Sequence, residues 1–137
     1  MNLEQLMTRN PVVVPATATA HEAAVIMREH NIGNVLVEHD GHLSGIVTDR
    51  DLIVRVMAEG LDPAQTLLGD VCSGDVTTLP LDCDVEEASR VMAEKGLRRV
   101  PVVRHGQAVG IVSLGDIAIE LDRRSVLADI SSAQPNK

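Results

Sequence analysis

The chain repeats itself. Slid over itself by 65 residues, it matches without a gap, residues 6–53 onto 71–118. Identical pairs include Pro15/Pro80, Glu22/Glu87, Ala23/Ala88, Met27/Met92, Val35/Val100, Gly41/Gly106, Gly45/Gly110 and Asp51/Asp116. Twelve of 48 positions agree, far above chance for a gapless overlap, so the chain holds two copies of one supersecondary unit. Two copies are too few for a solenoid. A closed pair related by a pseudo-twofold axis is the packing they imply.

Each copy reads as β-α-β-β-α, a mixed α/β (α+β) class. Val12-Val13-Val14 before Pro15 is a short strand, matched by Thr77-Thr78-Leu79 before Pro80. Thr19 with Glu22 is a capping-box start to a helix, with Asp84 and Glu87 as its analogue. The helix stripes are Ala20, Ala23, Ala24 and Met27 in the first copy, and Val85, Ala88, Val91 and Met92 in the second. Two β-branched runs follow in each copy, turning at His39–His42 and at His105-Gly106, and read as hairpins. A last helix starts after Thr48 or Ser113. The expected divisions are a first unit at 3–60, a connector at 61–70 with Pro63 and Gly69, a second unit at 71–124, and a tail at 125–137. Leu3, Leu6 and Met7 suggest a short leading helix.

Composition narrows the functions. There is no Phe, Trp or Tyr, so bases cannot be stacked on aromatic platforms. The net charge is −8, the wrong sign for a phosphate backbone, so no nucleic-acid partner is expected. No apolar run approaches the ~18 residues of a membrane span, and no signal peptide is visible, so no membrane partner and a cytoplasmic location are expected. Cys72 and Cys83 form no CxxC motif and read as reduced thiols.

The chemistry-bearing pattern closes each hairpin: Gly45-Ile46-Val47-Thr48-Asp49-Arg50-Asp51 and Gly110-Ile111-Val112-Ser113-Leu114-Gly115-Asp116. A hydroxyl stands before a helix and a carboxylate in its first turn. Two readings stay open. As a helix cap, the pair stabilises by about 0.5–2 kcal/mol. As a ligand hook, free N–H groups and the hydroxyl suit a phosphate, and an acceptor-only Asp can grip two ribose hydroxyls.

The duplicated β-α-β-β-α unit, each copy ending in Gly-h-h-[Ser/Thr]-x-x-Asp, resembles a tandem CBS-domain pair, the Bateman module. Arg98-Arg99-Val100-Pro101-Val102-Val103 is similar to that family's central strand entry. The resemblance covers roughly residues 3–124 and looks like a stand-alone pair. It implies two clefts, each taking its Ser/Thr and Asp from one unit and its other wall from the other. One would join Thr48, Arg50 and Asp51 to Ser73, Val76, Thr78, Leu97, Arg98, Arg99 and Pro101. The other would join Ser113 and Asp116 to Thr8, Val12, Val14, Ile32, Gly33 and Asn34. The implied ligand is an adenosyl nucleotide (AMP, ADP, ATP or NAD), held by aliphatic side chains and backbone groups; no catalytic cofactor is implied.

The clefts are not equal. Arg98-Arg99 replaces Gly33-Asn34 of the first copy, and Arg50 replaces Gly115. Both changes load positive charge onto the Asp51 cleft, unless the arginines are surface residues paired with Glu94 or Glu120. Guanidinium groups suit phosphate.

The remaining candidates carry less. His39 and His42 sit in a turn without a converging Cys or third His, so no metal site is expected. His21 and His30 read as exposed. No GxSxG, GxGxxG or P-loop is present, and no base-plus-nucleophile pair is visible, so an enzyme is not expected. The leading function is a regulatory adenine-nucleotide sensor. The alternative is an interaction or dimerisation module with degenerate sites and an unidentified protein partner. Homodimerisation is expected, through Val54, Val56 and Met57 with Ile117, Ile119 and Leu121.

Overall fold

A computed structural model describes residues 2–72 and 76–132. It divides into two compact units: Asn10–Thr77, and a second formed by Met1–Arg9 with Thr78–Lys137. The leading segment, up to Arg9, thus packs with the second copy.

In the Asn10–Thr77 unit, β2 (Val13–Pro15) runs parallel to β3 (Asn34–His39), and β3 pairs antiparallel with β4 (His42–Thr48). The crossover between β2 and β3 is helix α1 (Ala20–His30). Its start is the expected capping box: Thr19 Oγ1 accepts the Glu22 N–H at 3.1 Å, and Glu22 reaches back to the Thr19 N–H. Ala20, Ala23 and Met27 are buried under the sheet with Val35, Val37 and Val47, whereas Ala24 faces out. The hairpin closes through Asp40 and Gly41, both at positive φ, the backbone of a two-residue type I′ turn. After β4 come helix α2 (Asp49–Leu52), a π-helical turn at Ile53–Met57 and helix α3 (Leu68–Val71), so the expected connector at 61–70 holds part of a helix.

The second unit repeats this plan. β5 (Leu79–Pro80) runs parallel to β6 (Arg99–Arg104), which pairs with β7 (Gln107–Ser113) around His105 and Gly106, again at positive φ. Helix α4 (Val85–Lys95) crosses over and buries Val85, Ala88 and Met92. Its cap differs from expectation. Asp84 accepts the Glu86 N–H at 3.2 Å, and Glu87 bonds Arg90 instead of reaching back. The guanidinium competes for the carboxylate that a capping box needs.

This sheet has a fourth strand. β1 (Thr8–Arg9) pairs antiparallel with β7, giving the order β1-β7-β6-β5. Leu3, in a 3-10 turn at Leu3–Gln5, is fully buried in this core with Val100, Val102, Val112 and Ile117. Close approach explains Gly110: a Cβ there would stand 2.9 Å from the Thr8 carbonyl oxygen and against Met7.

Helix α5 (Leu114–Ser132) does not stop at 124; the expected tail is helical to Ser132. No glycine or proline interrupts 117–132. Glu120, a buried charged side chain, is gripped at 3.0 and 2.8 Å by Arg123 one turn on.

Candidate functional site

The end of β4 carries the first hydroxyl–carboxylate pair. Thr48 is the last strand residue, its backbone still extended, and Asp51 lies in the first turn of α2. Asp51 Oδ2 accepts the Thr48 N–H at 2.9 Å, and Thr48 Oγ1 accepts the Asp51 N–H at 3.1 Å. The capping reading is therefore realised in full. It does not exhaust the carboxylate, because each oxygen has two lone pairs and the group is still partly exposed. Asn34, at the start of β3, is paired with Thr48, and the Asp49 N–H donates to Gly33 O at 3.0 Å. Thr48, Asp51, Gly33 and Asn34 thus gather at one end of one sheet. Val12 lies along the same sheet, its carbonyl accepting the Leu36 N–H at 2.9 Å, and Val14 is in the core. Ile32 is half-buried against that core. Arg50 is exposed.

The second pair sits at the matching place. Ser113 ends β7, and its Oγ accepts the Asp116 N–H at 3.0 Å. The return bond made by Asp51 has no counterpart at Asp116 among the described residues. Arg99 is paired with Ser113 across β6 and β7, and the Leu114 N–H donates to Arg98 O at 2.7 Å. Thr8, in β1, stands opposite Ile111. Leu97 is half-buried, Arg98 exposed and Pro101 buried.

The Asn10–Thr77 unit therefore carries Thr48 and Asp51 with Val12, Val14, Ile32, Gly33 and Asn34, and the other unit carries Ser113 and Asp116 with Thr8, Leu97, Arg98, Arg99 and Pro101. Thr78 begins the second unit's main segment, and Val76 is half-buried at the end of the first. Ser73 lies outside the described residues. Glu94 and Glu120, the carboxylates proposed above as partners for Arg98 and Arg99, are engaged elsewhere, Glu94 with Arg90 and Glu120 with Arg123 and Arg124.

Sequence reasoning passed over Arg55. Its Nη1 donates to the Val71 carbonyl at 2.9 Å, and its Nε lies 3.9 Å from Asp51 Oδ1. The signal was available: Arg55 is four residues beyond Asp51, one helical turn, and the repeat sets Glu120 against it. Cys72 follows Val71. Burial pushes its thiol above the ordinary range, with the Arg55 charge offsetting only part, and burial does the same to Cys83, so neither is an activated thiolate.

Of the expected interface residues, Val56 and Ile117 are buried inside their own units, and Leu121 is half-buried. Val54, Met57 and Ile119 are exposed, as are Ile53, next to Val54, and Val126 and Leu127 further along α5. Met57, Ile53 and Leu52 line an apolar groove of about 310 Å³ together with Ala24 and Met27 of α1.

A parallel β-α-β unit with a hairpin, made twice and ending twice in a hydroxyl–carboxylate bend, defines a class of duplicated domain. The chain belongs to the CBS-domain family, whose model matches residues 3–58 and again 68–123. The CBS domain-containing protein YhcV of Bacillus subtilis is 37% identical over 118 residues, 86% of this chain and 84% of its own. The crystal structure of Hypoxic Response Protein I with two coordinated zinc ions is 33% identical, with a TM-score of 0.77, covering 87% of this chain and 98% of that one. Those ions belong to that protein; among the described residues here, no three His, Cys, Asp or Glu side chains are grouped to hold a metal. The hexameric CBS-CP12 protein from bloom-forming cyanobacteria superposes with a TM-score of 0.82 at 28% identity, covering 91% and 73%. Among the described residues, no helix is long and apolar enough to cross a membrane.

Proposed function

We propose that the chain is a regulatory module that binds an adenosyl nucleotide, with Thr48 and Asp51 as one ribose-facing pair and Ser113 and Asp116 as the other. The observation that carries this reading is the recurrence of one bend. Two independent strand ends present a hydroxyl within 3.1 Å of the backbone that also positions a carboxylate, in a family of nucleotide-binding modules. With no aromatic side chain, the base is held by aliphatic faces and backbone groups, so hydroxyl recognition by the two aspartates carries much of the specificity. The cationic residues Arg50, Arg98 and Arg99 serve the phosphates, which makes AMP, ADP, ATP or NAD a better ligand than adenosine. The test is a thermal-shift panel of these compounds with calorimetry on any that act. A ligand of the native state must raise the melting temperature, by an amount that grows with the logarithm of its concentration over Kd. No shift with any adenosyl compound at millimolar concentration overturns the reading.

A second reading is favoured by one observation. Met57 and Ile119 are 73% and 70% exposed, Met57 at the end of the π-helical turn of the first copy and Ile119 in α5 of the second. Large apolar side chains this exposed mark association surfaces. The hexameric relative assembles with itself, and we infer that this chain self-associates as a homodimer or larger assembly through these residues, with or without a ligand.

A further inference from the structure

The two hydroxyl–carboxylate pairs differ most at one matched position. In the first unit it is Arg55, whose side chain is 44% exposed. In the second it is Glu120, buried and bonded to Arg123, which lies a turn further from Ser113. Arg55 is anchored at one nitrogen only. Nη1 donates to Val71 O at 2.9 Å, a full hydrogen bond. Nε stands 3.9 Å from Asp51 Oδ1, beyond hydrogen-bond reach, so this contact is a loose ion pair that is easily exchanged. A guanidinium has five N–H donors in a rigid fork, and most of Arg55's remain for an anion. The residue also lies in the π-helical turn, a distortion frequent at functional sites.

We propose that Arg55 selects the charge of the ligand at the Thr48–Asp51 pair: it relinquishes Asp51 to the ribose hydroxyls and takes a phosphoryl group. The Ser113–Asp116 pair, with Glu120 in the matching place, lacks that cation and discriminates less between phosphorylated and neutral nucleosides. The inference rests on the adenosyl-binding reading above and deepens it.

The experiment is calorimetry of adenosine and AMP against the wild-type chain, Arg55→Gln and Arg55→Lys, with Arg90→Gln, on the exposed face of α4, as a control. Arg55→Gln should lose AMP affinity by about tenfold or more while adenosine changes less than about twofold. Arg55→Lys should keep part of the AMP preference, because the charge remains but the fork does not. A purely structural role through Val71 would weaken both ligands alike, and that result overturns the inference. So does an unchanged AMP-to-adenosine ratio in Arg55→Gln. If Arg55→Gln fails to fold, Arg55→Lys decides: equal loss for the two ligands, or no loss for either, counts against the inference. No binding of either ligand to the wild-type chain overturns the adenosyl reading and this inference together.

Discussion

Thr48 and Asp51 exchange hydrogen bonds, the Thr48 N–H donating to the carboxylate at 2.9 Å and the Thr48 hydroxyl oxygen accepting the Asp51 N–H at 3.1 Å. The same two groups that hold the bend are those offered to a ligand. Asp51→Ala should therefore fail twice. It should cost about 0.5–2 kcal/mol of stability as a lost cap partner. It should also weaken nucleotide binding by about 1–3 kcal/mol, roughly 5- to 150-fold. Urea denaturation measures the first and titration calorimetry the second; unchanged affinity would remove Asp51 from the site.

Phosphate recognition should be additive over cations. The double variant Arg98→Ala with Arg99→Ala is expected to weaken ATP more than adenosine and to flatten the salt dependence of ATP binding. Backbone structure should survive, since it is the carbonyl of Arg98, not its side chain, that takes the Leu114 N–H. Equal loss for ATP and adenosine would mean the arginines do not meet phosphate.

Two glycines of the second copy should respond in opposite senses. Gly110→Ala forces a Cβ against the Thr8 carbonyl, so β1 must move off β7, at about 1–3 kcal/mol. Gly115→Ala meets only Ser113 Oγ at 3.8 Å, and lies in α5, where alanine is favoured over glycine by up to about 1 kcal/mol. Chemical denaturation of both variants checks the pair. A harmless Gly110→Ala would mean the β1–β7 contact adds little stability.

Much of this architecture was legible locally. Both hairpins follow from turn dipeptides that reach positive φ, and α1 follows from Thr19 and Glu22. What stayed hidden was non-local or competitive. Thr8–Arg9 is a two-residue strand with no periodic pattern, and its partner Ile111 lies a hundred residues away. Arg55 and Val71 are sixteen residues apart and meet only after α3 folds back. Glu87 matched the capping pattern, but Arg90 was a stronger partner. Of the candidate site, the two bends were readable from the repeat and Arg55 from its spacing to Asp51, whereas the Val71 carbonyl that anchors Arg55 was not.

Acid should act through Glu120. Its hydrogen bond to Arg123 holds the carboxyl below the ordinary carboxylate range. A carboxyl whose pKa is lower folded than unfolded stabilises fully above the unfolded value, about 4.3 for Glu. That contribution is lost as pH falls through the folded value. Denaturation midpoints measured at neutral pH and on down through that acid window should fall for the wild-type chain. Arg123→Gln should start lower and fall less, and a parallel decline would deny the pair any part in acid sensitivity.

Self-association should depend on the exposed apolar residues. Met57→Asp and Ile119→Asp together are expected to shift the chain toward monomer in sedimentation velocity at micromolar concentration. An unchanged assembly would place the interface elsewhere.

The pairing of β1 with β7 gives the two units different histories on the ribosome. The unit at Asn10–Thr77 is an insertion in the sequence of the other, and it has all its strands once Thr77 has emerged. The other unit begins first and finishes last. Leu3 and Thr8 must wait through the synthesis of a hundred residues for the strand and core they complete. Until then Leu3 and Thr8 have neither the core nor the strand they join. A fragment begun at residue 71 would keep the β7 edge open to pairing with other chains.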